Sequence, residues 1–152
     1  MNSTAPDRLL VAVDGSPGGK RAAVHAGGLA ARMQLPLTLL FALPDNPLEM
    51  FGMSDEGAVR YFEPEAVDQL RQEIARAAFD EAREAIGETA VEISEEILTG
   101  KPGPALVKRV AGQQNSIIVM GRRGLSRAGE LLMGSVTQRV LHHADCPVLV
   151  VH

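Results

Sequence analysis

Cysteine is almost missing from this chain of 152 residues. Cys146 stands alone, which excludes an internal disulfide and any cysteine-rich zinc site. Aromatic residues make up 3%, with no Trp and one Tyr, too few for the platforms on which single-stranded nucleic acid stacks. No apolar run approaches the roughly 18 residues that a membrane-crossing helix needs. Residues 1–8 contain no basic stretch followed by an apolar core, so no secretion signal is expected there. Fifteen Lys and Arg against nineteen Asp and Glu leave a net charge of −4, the wrong sign for a nucleic-acid footprint. The remaining composition, 45% apolar and 22% charged, is that of an ordinary globular chain, and its length corresponds to about one domain. The expectation is a single cytoplasmic domain over residues 1–152 that neither binds nucleic acid nor enters a membrane.

The charge is unevenly placed. Residues 63–96 hold eleven acids and three bases, whereas 97–152 hold two acids, Glu130 and Asp145, and seven bases. The acidic block reads as the solvated face of a helix. Arg122, Arg123 and Arg127 crowd a glycine-rich stretch instead.

Hydrophobic patterning alternates two periods along the chain. Residues 8–14 form a short apolar run, as a strand buried on both faces should. Ser16-Pro17 then reads as an N-cap followed by proline at the first helical position. Ala22, Ala26, Leu29, Ala30 and Met33 recur at helical spacing, and Gly27 and Gly28 are expected to bring that helix close to a sheet. A second buried strand is expected over 36–43. Residues 44–62 show no clear period, and 63–86 form a long helix. Val91, Ile93 and Ile97 alternate with polar neighbours, which marks an edge strand. A short helix over 105–111, a buried strand at 117–120, a loop over 121–133, a helix over 134–144 and a last strand over 147–151 complete the order. Strands alternating with helices imply right-handed crossovers and a parallel sheet: a doubly wound, Rossmann-like α/β fold. Ligands in such sheets bind beyond the C-terminal strand ends, at the switch in strand order.

The richest strand end is Gly121-Arg122-Arg123-Gly124, followed after nine residues by Gly134-Ser135-Val136-Thr137. Glycines let backbone approach a ligand or adopt positive φ. The helix that starts near Gly134 offers free N–H groups suited to phosphate. The Ser135 and Thr137 hydroxyls and the three arginines can add donors and charge. The same residues have a plainer reading: Ser135 with Gln138 is a capping-box pattern, and Gly124 and Gly129 are ordinary turn residues. Asp14, at the end of the first strand, could accept from a base or ribose, or could cap the turn that follows as an Asx turn.

Several catalytic patterns fail. Gly15-Ser16-Pro17-Gly18-Gly19-Lys20 lacks the spacing and the Ser or Thr of a Walker loop, and no G-x-G-x-x-G occurs. The further acids and the lysine of a phosphoacceptor receiver are missing. His142 and His143 are adjacent on a helix, so they diverge and cannot chelate together. Cys146 reads as a buried inert thiol, and Met50, Met53 and Met120 as gap fillers or loop contacts.

The run Gly121-x2-Gly124-x9-Gly134-Ser135, with Val11-Ala12-Val13-Asp14-Gly15-Ser16 in front and Cys146-Pro147-Val148-Leu149-Val150-Val151 at the end, resembles the universal stress protein family over essentially the whole chain. The G-x2-G-x9-G-(S/T) pattern is that of the members that bind ATP. The resemblance implies a five-stranded sheet of order 3-2-1-4-5 with ATP across the ends of strands 1 and 4. Asp14 would face the adenine, with Ala12 and Val13 beside it. Ala42 would offer backbone to the base, at a position where family members often carry Val. Met120 and Gly121 would line the ribose. Gly124, Gly134, Ser135 and Val136 would hold the phosphates, with Mg²⁺ bridging them. The arginines, Arg123 included, lie in the variable part of the motif, and their role rests on charge alone. The resemblance further implies a homodimer through antiparallel pairing of the last strands, residues 147–151.

Three functions compete. The first is an ATP-binding stress-response module acting through nucleotide-dependent conformation and dimerisation on a downstream protein. The second is a slow Mg-dependent ATP hydrolase or phosphotransferase, against which stands the lack of a residue placed to activate a nucleophile at the γ-phosphate. The third is a nucleotide-free interaction protein whose glycines serve only the turn.

Overall fold

The first strand to be made lies in the middle of the sheet. In the computed structural model, which describes residues 5–53, 60–124 and 132–152, β1 (Arg8–Ala12) is flanked by β2 (Leu37–Leu43) and β4 (Ser116–Gly121). β3 (Ile93–Thr99) and β5 (Val148–Val151) form the two edges, giving the order β3-β2-β1-β4-β5 with every pair parallel. This is the order that the family resemblance implies.

Side chains alternate across the strands, and the alternation sorts them into two cores. Leu9, Val11, Leu37, Leu39, Phe41 and Val119 point to the face covered by α1 (Pro17–Met33) and α2 (Pro64–Ile86). Leu10, Leu40, Ile118 and Met120 point to the face covered by α3 (Pro102–Val110) and α4 (Ser135–His143). Helices on both faces leave no polar side for the central strands, which is why their sequences are continuous apolar runs. Each fully buried Leu or Val there contributes about 1.5–3 kcal/mol relative to exposure. Ala22, Ala23, Ala26 and Ala30 give α1 a smooth face against the sheet, and Phe41 meets Phe79 of α2 edge-on at 6.2 Å.

Helix starts follow the expected chemistry. Ser16 caps α1 by accepting from the Gly19 N–H at 3.0 Å, with Pro17 in the first turn. The helix ends on Gln34, held in the left-handed region at φ 55°. α3 begins at Pro102, earlier than the hydrophobic pattern predicts, because prolines in a first turn give up N–H groups that have no helical acceptor anyway. β3 likewise runs on to Thr99, since the whole stretch from Ile93 to Thr99 pairs with β2. Its mid-strand acids are tolerable because they sit at an edge and pair with neighbouring helices. Glu95 meets Arg83, and both oxygens of Glu96 meet Arg109 Nε at 2.8 Å.

Two expectations need correction. Gly27 brings α1 against α2 rather than against the sheet, since a Cβ there would lie 2.8 Å from Ile86 Cγ2. Gly28, one residue further around the helix, has nothing within 4 Å and faces solvent. Within the stretch that shows no period, Pro47–Phe51 forms a 3₁₀ turn. The buried Asn46 caps it by accepting from the Leu48 N–H at 3.0 Å, and its amide donates to the Met53 carbonyl at 3.4 Å. Among the described residues, no helix is long and apolar enough to cross a membrane.

Candidate functional site

The chain leaves β1 toward β2 and β3, then crosses back to β4, so the switch in strand order falls between β1 and β4. A cavity of about 210 Å³ opens beyond their C-terminal ends. Ala12, Val13 and Asp14 come to it from the end of β1, and Ala42 from β2. Met120, Gly121, Arg123 and Gly124 come from β4 and the loop after it, and Gly134, Ser135, Val136 and Thr137 from the start of α4. The structure therefore brings these twelve sequence candidates together, but of the three arginines only Arg123 is among the described lining residues. Arg127 and Gly129 lie outside the described residues, and Arg122 is not part of the lining.

The lining has an apolar part and a polar part. Leu40, Ala42, Leu106, Met120, Pro102 and Met50 supply the first. At the second, α4 starts with Gly134 as its N-cap, and no side chain among the described residues caps it. Ser135 is thus the first helical residue, and the capping box with Gln138 does not form. Gln138 instead donates from its side chain to the Met133 carbonyl at 3.2 Å. The uncapped N–H groups of this first turn carry the positive end of the helix dipole toward the cavity.

Asp14 takes the Asx-turn arrangement. Its Oδ1 accepts from the Ser16 N–H at 2.9 Å and from the Ser16 hydroxyl. Its Oδ2 occupies the space where a Cβ on Gly124 would sit. Thr137 lines the cavity, but its single hydroxyl proton goes to the Gly121 carbonyl at 2.8 Å.

The motif glycines achieve close approach without positive φ. Gly134 has φ −61°, and neither Gly121 nor Gly124 is in the left-handed region. A Cβ on Gly121 would stand 2.7 Å from the Gly18 carbonyl oxygen, and one on Gly18 would overlap the Arg123 carbonyl. The loop after β4 is thereby pressed onto the first turn of α1. It is closed at the other end by the Gly134 N–H, which donates to the Arg122 carbonyl at 2.9 Å. Removing Cβ atoms lets three backbone segments share this corner.

The residues that follow Ala42 at the end of β2, and the last residue of β3, are turned elsewhere. Asp45 and Thr99 line a separate hollow beside α2. There the largely buried Arg71 donates to the Pro44 carbonyl at 3.3 Å and to Thr99 Oγ1 at 3.1 Å. In the other direction, Ser16, Gly19, Leu40, Phe41, Met50, Pro102 and Leu106 line the cavity without having been singled out as site residues. Ser16 reads from sequence as a helix cap, and it is one. Met50 sits in a stretch with no period, so no local signal marks it. His25, His142, His143 and His152 are exposed and lie off the cavity. Cys146 is buried, and burial pushes its thiol up from the usual range while backbone hydrogen bonds at Ile118 and Cys146 offset part of the rise.

A family model described as the universal stress protein family matches residues 6–152. A universal stress protein of Thermus aquaticus is 34% identical over 144 residues, covering 94% of this chain and 96% of its own length. One of Methanocaldococcus jannaschii is 29% identical over 144 residues, covering 95% and 81%. Among solved structures, a universal stress protein from Lactobacillus plantarum shares the fold with a TM-score of 0.76 at 23% identity, over 97% of this chain and 99% of that one. A universal stress protein solved in complex with cAMP gives a TM-score of 0.65 at 28% identity, over 97% and 98%.

Proposed function

Because the chain belongs to the universal stress protein family, we propose that its cavity binds an adenine nucleotide, ATP with Mg²⁺, and that the protein is a cytoplasmic module whose conformation and pairing respond to that nucleotide. The observation that carries this reading is the pairing of an apolar hollow with the uncapped first turn of α4 at the switch in strand order. An apolar hollow suits a base, and an uncapped helix start suits phosphate. The relative solved with cAMP supports a nucleotide as the ligand class.

In this reading Ala12, Val13, Ala42 and Met120 pack against the adenosine. Asp14 holds Ser16 and the start of α1 in place beside it. Gly121, Gly124, Gly134, Ser135, Val136 and Arg123 face the phosphates, and Thr137 fixes the turn that presents them. Mg²⁺ neutralises phosphate charge when the nucleotide is bound. Among the described lining residues Asp14 is the sole carboxylate, and it is already engaged by Ser16, so the donor set fits an ion that arrives with the phosphates. The same engagement favours binding over turnover, since the described lining residues include no histidine or second acid to activate water. The β5 edge carries the half-exposed Leu149, which suits antiparallel pairing of residues 147–151 between two copies.

Calorimetric titration of nucleotide-stripped protein with Mg·ATP, with GTP as control, tests the reading. Saturable binding near one ATP per chain is expected. Absence of heat in folded protein would turn the function toward protein partners alone.

A further inference from the structure

The chain's oxidisable sulfurs are unequally placed. Cys146 is buried beneath the sheet with its thiol held protonated, so it offers little thiolate to an oxidant. Met120 forms part of the cavity wall but is buried. Met50 is different, because it lines the same cavity while remaining 39% exposed.

The position of Met50 is built rather than incidental. It lies on the Pro47–Phe51 turn, capped at one end by Asn46 and closed at the other by Gly52 at φ 79°, whose N–H donates to the Glu49 carbonyl at 3.1 Å. This turn places Met50 in the cavity lining, whose apolar part also includes Ala42, Leu106 and Met120. We propose that Met50 is a modification site: oxidation of its thioether by hydrogen peroxide weakens nucleotide binding in the cavity, an inference that rests on the cavity holding a nucleotide. The sulfur lone pair attacks one peroxide oxygen as the O–O bond breaks and an S–O bond forms. Sulfur loses two electrons, and the peroxide leaves as water. The product is a polar, chiral sulfoxide among the apolar lining residues. The strongly hydrated sulfoxide oxygen must give up water when a base packs against this wall, and the larger, polar group no longer matches the apolar surface, so the bound state is disfavoured.

Met33 supplies the control. It is 37% exposed at the end of α1 and does not line the cavity, so peroxide reaches it comparably without consequence for the ligand. The experiment treats nucleotide-stripped wild type, Met50→Leu and Met33→Leu with hydrogen peroxide, maps sulfoxide by peptide mass spectrometry, and titrates each with Mg·ATP before and after. Wild type and Met33→Leu are expected to bind about five- to tenfold more weakly after treatment. Met50→Leu should keep whatever affinity it had before treatment. Bound Mg·ATP should slow sulfoxide formation at Met50 and leave Met33 unchanged. Unaltered wild-type affinity with Met50 oxidised would overturn the assignment, as would a loss that persists in Met50→Leu or a Met50 that oxidises far more slowly than Met33. If the untreated protein shows no saturable binding, the nucleotide reading itself fails, and the role of Met50 falls with it.

Discussion

Thr137 donates its hydroxyl proton to the carbonyl of Gly121 at 2.8 Å, and this buried bond joins the first turn of α4 to the last residue of β4. The two residues bracket the motif loop, so the bond fixes its span. Replacing Thr137 by Val keeps the shape and leaves a buried carbonyl without its partner. The expected loss is about 1–3 kcal/mol, read by urea unfolding, and Thr137→Ser should recover most of it. Equal stability of Val and wild type would show that the loop is closed by other contacts.

Glycines in the same chain should respond to alanine in opposite directions. At Gly121 the added Cβ would stand 2.7 Å from the Gly18 carbonyl oxygen, a backbone atom that cannot swing aside. Overpacking of this kind costs about 1–3 kcal/mol. At Gly28, in the interior of α1, the Cβ meets nothing within 4 Å. There Gly28→Ala should stabilise by about 0.5–1 kcal/mol through helix propensity and a less flexible unfolded chain. Thermal unfolding of the two variants side by side checks both signs.

Arg71 reaches from α2 to the Pro44 and Asp45 carbonyls and to Thr99 Oγ1, with its side chain largely buried. It therefore steadies the segment that leads to the 3₁₀ turn and Met50. Arg71→Met should cost about 1–2 kcal/mol, the scale of a few partly exposed hydrogen bonds. The amides of Leu48 and Met53 should also exchange faster with solvent hydrogen, while those of β1 stay protected. Unchanged exchange at Leu48 and Met53 would remove Arg71 from that role.

Cys146 makes stability depend on alkaline pH. Burial raises its thiol above the unfolded value of about 8.5. Its contribution is therefore complete below about 8.5 and is lost as pH rises from there toward the folded value, because above it the unfolded chain releases the proton first. The difference in unfolding free energy between wild type and Cys146→Ala should shrink over that range. A difference that stays flat would mean the thiol keeps its ordinary acidity.

The parts of this molecule that sequence reveals are those set by neighbours in the chain. The order of strands and helices follows from apolar runs of two lengths. The site corner follows from a strand, a loop and a helix that are contiguous, so Gly121, Gly124, Gly134 and Ser135 declare themselves by spacing. What stays hidden is set by distant segments. Pro102, Leu106 and Met50 reach the cavity from other parts of the chain, and no local period distinguishes them from core or loop. Thr137 is visible as a polar residue at a helix start, but its partner is a backbone carbonyl, which no side-chain pattern marks. Gly27 is legible as a close approach, while the approaching group, Ile86, becomes evident only once α1 and α2 lie together.

The placing of β1 at the centre of the sheet has a consequence for biosynthesis. On one side β1 needs β2, which follows within a few dozen residues. On the other it needs Ser116 to Val119. At about 5–20 residues per second, roughly 100 further residues take on the order of ten seconds to emerge from the ribosome. Throughout that interval one edge of this largely apolar strand has no neighbour, and nascent chains from adjacent ribosomes carry the same open edge. The chain thus completes its sheet late, which makes the interval before β4 emerges the one in which chaperone protection matters most.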